Sequence, residues 1–321
     1  MLNISVSCQQ VLEEDGSTDL ALVAEIAAIP SEAALSDAIA AAGAPVDPVA
    51  VHRNRSELAG AIGSAMRDRL RGIYDAQYAA QRAQQLDSDT GSVAVGRRAI
   101  ANLALRYLMA EPEPPIIALA VRQFTEAQNM TNELAALTLL VATECPEREV
   151  AISTFERKWS EDQLVLQSWF SVQAICPLDG TLARVKELMQ HPKWDKSNGN
   201  MIGALIQSFV TGNAAQFHTA EGYEFLGDFI IEVDAETPSR AAGLTRLFTV
   251  RQQPCDPFQR LIFTVRCCGQ SWTRFDAHRQ GLMKAQLLRI RNRAGVSANT
   301  FEVADKILAV SVEAEVAVEA A

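Results

Sequence analysis

The sequence predicts an all-α fold, with antiparallel helix pairs stacked into an α-solenoid of the armadillo/HEAT kind. First, apolar residues between Gly96 and Phe209 recur at helical spacing. They run Ile100, Leu103, Ala104, Tyr107, Leu108; Ile116, Leu119, Ala120, Phe124; Ile152, Phe155, Trp159; Leu182, Val185, Met189; and Ile202, Leu205, Ile206, Phe209. Residues so spaced share one stripe of a 3.6-residue helix. Second, no comparable run alternates with a period of two, so each stripe has only other helices to bury against. Third, short turns separate the segments, which favours stacking on sequence neighbours.

The elements follow in order. Residues 1–18 are polar and unpatterned and are expected to form a disordered arm. Leu20 to Ile29 is apolar and helical, and Ser31 after Pro30 is an expected N-cap for the next helix, which ends near Gly43. Asp47-Pro48 joins a good N-cap to a residue favoured at the first helical position, opening one long helix from Pro48 to Ala83. That helix carries Arg53, Arg55, Arg67, Arg69 and Arg71; a solvated face is the expected reading and an anion site the alternative. Turns are expected at Glu111 to Pro115, Gln128 to Asn132, Cys145-Pro146, Pro177 to Gly180 and His191 to Asn200. A basic amphipathic helix from Ala277 to Arg291 and a last one from Val296 to Leu308 complete a domain over 19–310, leaving 311–321 as a frayed tail.

Composition narrows the function. The chain has 321 residues and a net charge of −10, which disfavours nucleic acid as a partner. No apolar run reaches the ~18 residues of a membrane span, so no membrane partner is expected. The first residues lack the order of a signal peptide. The six scattered cysteines suit reduced thiols in an intracellular, cytoplasmic protein, with a plastid as the alternative. Of His52, His191, His218 and His278, no two stand one helical turn apart, as a helical zinc motif requires. Neither a nucleophile elbow nor a phosphate loop is present. No catalytic or metal-ligating residue is therefore assigned. Trp159, Trp169 and Phe170 read as core.

Several separated motifs then carry a family resemblance. Gly96-Arg97-Arg98-Ala99-Ile100-Ala101-Asn102-Leu103 is similar to a G-R-R-A-L-R-N-L signature. Ala127-Gln128-Asn129-Met130-Thr131-Asn132 resembles an A-x-N-M-T-D turn. Trp159 to Leu166 and Trp169 to Ala174 resemble W-x-x-D-x-L-V-L followed by W-F-x-x-Q-A. Phe217-His218, Gly222 to Leu226 and Asp276 to Gln280 also match. Together these resemble the C-terminal helical domain of aminopeptidase N, the alanyl aminopeptidases of the zinc metallopeptidase class.

The resemblance implies a domain that closes over a catalytic domain and lines the peptide channel, with that catalytic domain or a peptide substrate as partner. Zinc would belong to the full-length enzyme, and this chain alone would be inactive. A free-standing helical scaffold that binds a protein or peptide through its concave face is the alternative. The family's channel-lining helix starts, N-P-N-x-x-R-A-L and N-P-Q-x-A-x-R-L, map to Asn198 to Leu205 and Thr237 to Leu244. Gly203 and Gly243 stand where arginines are expected, and Ser239 replaces the glutamine. These three are the candidate peptide-channel positions. Glycine cannot offer the fork of a guanidinium. A last helix pattern, F-x-x-W-x-x-[YF]-D-x-x-R-Q, is interrupted by residues 250–270, with Pro254, Pro257, Cys255, Cys267 and Cys268. Deleting that stretch restores the spacing, so it is expected to be an irregular insertion, a translated intron or a surface loop.

Overall fold

In the computed structural model, residues 19–83, 90–249 and 274–319 are described. The 1–18 arm and the 250–270 insertion lie outside them. The described residues form helices and no strand; one isolated parallel bridge joins Val46 to Phe275. This is the all-α solenoid expected, with helices packed chiefly on near neighbours in sequence. No helix among the described residues is long and apolar enough to cross a membrane. The chain divides into two compact units, residues 1–30 with 54–172, and residues 31–53 with 173–321.

The first unit holds α1 (Leu20–Ala27), most of α3 (Pro48–Ala65), α4 (Arg67–Ala83), α5 (Ser92–Leu108), α6 (Pro114–Glu126), α7 (Met130–Val141), α8 (Glu147–Trp159) and most of α9 (Gln163–Ala174). α4 packs on α5, α1 on α5, and α6 to α8 on one another. Asp19 and Asn129 cap α1 and α7 through their side chains. The single helix expected from Pro48 to Ala83 is instead two, parted at Met66. Just before the break, a Cβ on Gly63 would stand 2.2 Å from the Tyr107 carbonyl oxygen. The chains touch there backbone to backbone, a demand of packing that local propensity does not encode. The arginines of this region are paired rather than gathered into an anion site. Arg67 meets Glu113 at 2.6 Å, Arg71 meets Asp75 at 2.6 Å, and Arg55 donates to the Pro30 carbonyl at 2.9 Å. Trp169 and Phe170 are buried core, but Trp159 is only half-buried. Its indole N–H donates to Glu133 at 3.2 Å, so its polar edge governs its place, which corrects the expectation of core.

The second unit holds α2 (Glu32–Ala41), α10 (Thr181–Leu188), α11 (Gly199–Ile202), a π-helical turn (Gly203–Gln207), α12 (Ser208–Gly212), α13 (Ala214–Phe217), α14 (Ala220–Glu236), α15 (Pro238–Thr245), a 3₁₀ turn (Arg246–Thr249), α16 (Ala277–Arg291) and α17 (Ala298–Glu319). Ser31 caps α2 as expected, and Gly43 turns the chain after it at φ 77°. α14, α15, α16 and α17 pack as a group. The buried carboxylate of Asp234 fastens α14 to the start of α17, accepting from Ser297 and Thr300 hydroxyls at 2.5 Å each. The last helix reaches Glu319, within the 311–321 tail.

Candidate functional site

The motif residues that carry the family resemblance meet in space, though far apart in sequence. In the first unit they build a joint of neutral amides. Asn102 on α5 donates to the Asn132 side-chain oxygen at 3.1 Å, and Gln123 on α6 donates to Asn102 at 2.8 Å and to the Asn132 carbonyl at 3.0 Å. Asn132 in turn donates to Gln81 on α4 at 3.0 Å. Four helices are thereby held at one point in a buried network, where every satisfied amide counts. Beside it, Glu133 is buried and accepts from Lys158 at 2.8 and 2.9 Å. On the adjoining face the Arg122 guanidinium lies 4.7 Å from the Tyr78 ring, and burial pushes the Tyr74 phenol up to about 12. These groups hold helices together and leave no reactive side chain exposed in a cleft.

In the second unit the motif residues border a cleft. Its free volume is about 60 Å³, and it opens to solvent. The apolar part of its walls includes Val210, Phe217, Leu247, Phe248, Phe275 and Met283. His218 also lines it, and Glu32, Ser36 and Thr211 supply the other polar groups. His218 follows α13, and Thr219 caps α14, turning Tyr223 back towards the histidine. Nδ1 of His218 lies 2.8 Å from the Tyr223 hydroxyl. A Cβ on Gly222 would stand 2.1 Å from the Phe217 carbonyl oxygen, so only glycine permits this return.

The ring of His218 keeps part of its surface on the cleft, while protein packs it from elsewhere. Burial above all, together with the Arg279 guanidinium, holds its pKa down to about 3 against the opposing Asp47 and Asp276. The imidazole is therefore neutral at pH 7. Behind it, Arg279 joins two helix N-caps. It meets Asp47 at 3.0 Å and also binds Asp276, which cap α3 and α16. The bridge between Val46 and Phe275 holds the same two starts, with the Val46 amide donating to the Arg274 carbonyl at 2.8 Å.

The predicted channel positions lie in a different part of the second unit. Gly203 opens the π-turn, where the Ser208 amide donates to its carbonyl, five residues back. A Cβ there would meet only Gln207 Oε1, at 3.6 Å. Gly243 lies within α15 with nothing within 4 Å of such an atom, and Ser239 is exposed in the first turn of α15. The two helix starts approach each other through Arg240, which donates to the Lys196 carbonyl at 3.2 Å, just ahead of the Asn198 cap. Ser239 and Gly243 stand four residues apart on one face of α15, whereas Gly203 lies on the π-turn. Sequence reading passed over the pairing of His218 with Tyr223. The available signal was a histidine followed by a capping threonine, a glycine and a tyrosine within five residues.

Among the described residues no three His, Cys, Asp or Glu side chains gather where they could hold a metal. His52 pairs with Glu32 at 2.8 Å, and His191 accepts from the Lys193 amide at 3.2 Å. These residues do not fit a zinc site.

Comparison with known proteins bears on this geometry. Residues 3–263 and 268–309 match the family model described as a domain of unknown function (DUF3458_C), ARM repeats. Aminopeptidase N of Caulobacter vibrioides is 34% identical over 296 residues, covering 92% of this chain and 31% of that protein. Aminopeptidase N of Escherichia coli K12 is 30% identical over 298 residues, with the same coverage of 92% and 31%. Among solved structures, Legionella pneumophila aminopeptidase A in complex with aspartic acid superposes with a TM-score of 0.74 at 25% identity. The match covers 95% of this chain and 33% of that one. The chain thus spans about a third of the length of these relatives.

Proposed function

Because the chain belongs to the ARM-repeat domain family described as DUF3458_C, we propose that it serves as the channel-lining helical part of a zinc aminopeptidase. In this reading it closes over a catalytic domain while residues are removed from the N-termini of peptides. The observation that carries the reading is coverage: aminopeptidase N relatives align with 92% of this chain but are about three times as long. Zinc would be held by the remaining part and would activate water there. The surface supplies further support. Leu22 and Ile26, one turn apart on α1, are 55% and 59% exposed, and Leu164 in the W-x-x-D-x-L-V-L motif is 74% exposed. The fold itself makes little use of these side chains, and such apolar exposure suits docking to another domain. Gly203, Ser239 and Gly243 face the channel in this reading.

A chimera tests it. This chain replaces the matching stretch of the Caulobacter aminopeptidase N, beside a version truncated at the same point. The chimera is expected to hydrolyse an alanyl chromogenic substrate while the truncated enzyme does not. The isolated chain is expected to show no chelator-sensitive hydrolysis. Gly243→Arg in the chimera is expected to lower KM for longer peptides about tenfold without changing kcat on the chromogenic substrate. A folded chimera no more active than the truncated enzyme overturns the reading.

A further inference from the structure

Asparagine is followed by glycine at one place in the chain, Asn198-Gly199. Asn198 is half-buried and caps α11, and Gly199 is exposed, with nothing within 4 Å of where a Cβ would stand. The Gly199 amide opens the helix, where a first-turn N–H has no carbonyl of its own helix to bind. Its nitrogen is therefore reachable and carries no side chain to shield it. The side-chain oxygen of Asn198 accepts from the Asn200 amide at 3.0 Å, a donor placed where negative charge would develop if Cγ were attacked. The backbone holds the two reacting atoms apart. Asn198 is extended, at φ −92° and ψ 113°. Its Cγ meets the Gly199 nitrogen only when ψ turns to about −120°, outside the main α and β regions. The cap itself is slight. The Asn198 amide donates to the Asp195 carbonyl at 3.0 Å, and the Ile202 amide to the Asn198 carbonyl at 3.1 Å, over a first helical segment of four residues. Short, exposed structure of this kind opens locally at lower cost than the core.

We propose that Asn198 is a self-modification site guarded by its own helix cap. When the cap opens, the Gly199 nitrogen bonds to Asn198 Cγ, its proton leaves with the side-chain amide group as ammonia, and a five-membered imide remains. Water then adds across one of the two C–N bonds of the imide, its hydroxyl going to the carbonyl carbon and its proton to the nitrogen. Nothing is oxidised or reduced. Opening at Cγ gives aspartate, which still caps and adds a negative charge at a helix N-terminus. Opening at the main-chain carbonyl gives isoaspartate. Its main chain is one methylene longer, so the run from Asp195 into the π-turn at Gly203 loses its register. The inference stands on this dipeptide and its cap, independent of the aminopeptidase reading.

The test ages the full chain at pH 7 and at pH 8 in ¹⁸O-water. Mass spectrometry follows the fragment carrying Asn198, with electron-transfer fragmentation to tell aspartate from isoaspartate. Asn198 should convert before any other asparagine and yield both products, each labelled by the water. The rate should rise about tenfold per pH unit, since the deprotonated amide attacks. Unfolding the chain in urea should raise it further. Gly199→Pro should abolish the reaction without unfolding the protein. Proline has no N–H, is favoured at the first helical position and suits an extended residue before it. If that variant does not fold, Gly199→Val, which crowds the nitrogen, should slow the reaction about tenfold or more. Another asparagine reacting first, aspartate without isoaspartate, a rate flat with pH, a rate indifferent to urea, or undiminished conversion in a folded Gly199→Pro or Gly199→Val variant would each overturn the proposal.

Discussion

The two units solve the same problem with different chemistry. In the first, Asn102, Gln123, Asn132 and Gln81 hold four helices by neutral amides. In the second, Arg279 ties Asp47 to Asp276, and His218 leans on Tyr223 beside them. An amide joint is indifferent to pH. A joint of carboxylates, a guanidinium and a depressed histidine is not. The difference teaches that motif residues in a stacked-helix domain can serve as fasteners, and that the kind of fastener sets which unit gives way under acid.

Four measurements break or sharpen that contrast. The largest effect should come from Gly222→Ala, whose new methyl meets the Phe217 carbonyl oxygen; Gly63→Ala is its counterpart against Tyr107. Each should cost about 3 kcal/mol or more by denaturant titration, because backbone must move in both. A loss below about 1 kcal/mol in either would show that the close approach is not obligatory.

Next, Asn132→Leu should cost about 2–4 kcal/mol at pH 7, since it leaves buried amide partners unmet, and Arg279→Met about 1–2 kcal/mol, since its carboxylate partners are partly exposed. Their pH profiles should differ. Burial raises the Asp276 carboxyl, but hydrogen bonds and charge from Arg279 outweigh it and hold it below the usual range. The stability from that depression is complete above the ordinary carboxylate pKa and is lost as pH falls through the depressed one. The penalty of Arg279→Met should therefore shrink in that acid window, while that of Asn132→Leu stays level. Parallel profiles would erase the distinction between the joints.

An effect of comparable size, read against pH, concerns His218. Its folded pKa lies near 3, below the 6.5 of an unperturbed imidazole. Below pH 6.5 the unfolded chain takes up a proton that the folded chain refuses, so stability falls until about pH 3. The slope should approach about 1.4 kcal/mol per pH unit. Hydrogen exchange at pH 4.5 should find α13, α14 and α16 opening before α5 and α7. His218→Gln should remove that slope, and an unchanged slope would assign the acid response elsewhere.

The smallest effect is a gain. Gly243 has open space around it within α15. Gly243→Ala should stabilise the second unit by about 0.5–1 kcal/mol, the ordinary helical advantage of alanine.

Much of the helical layout was legible because it is written locally. Ser31, Asp47 and Asn129 cap helices where their side-chain chemistry says they should. The stripe from Ile100 to Leu108 is buried as its spacing required. What was not legible depends on partners far away. The break at Met66 follows Gly63-Ser64, but the contact made there is with Tyr107, distant in sequence. The amide joint links residues 9 to 51 positions apart, so Asn102 and Asn132 read as motif letters without a role. Likewise the family resemblance placed Gly203 and Gly243 at helix starts, but their neighbourhood could not be read from the glycines themselves. The cleft was least legible, since residues from Glu32 to Met283 contribute to it.

One feature of this layout bears on how the chain is made. Val46 and Asp47 find their long-range partners at Arg274, Asp276 and Arg279. The first unit has all its residues once Val172 has been added, whereas the second, already begun at Ser31, must wait for chain that follows it. At about 5–20 residues per second, the ribosome needs about 10–50 s to travel from Asp47 to Arg279. Throughout that interval α2 and the start of α3 emerge without their mates, and their apolar faces are open to chaperones or to wrong partners. The order of synthesis thus makes residues 31–53 the part of the second unit that waits longest for the rest of it.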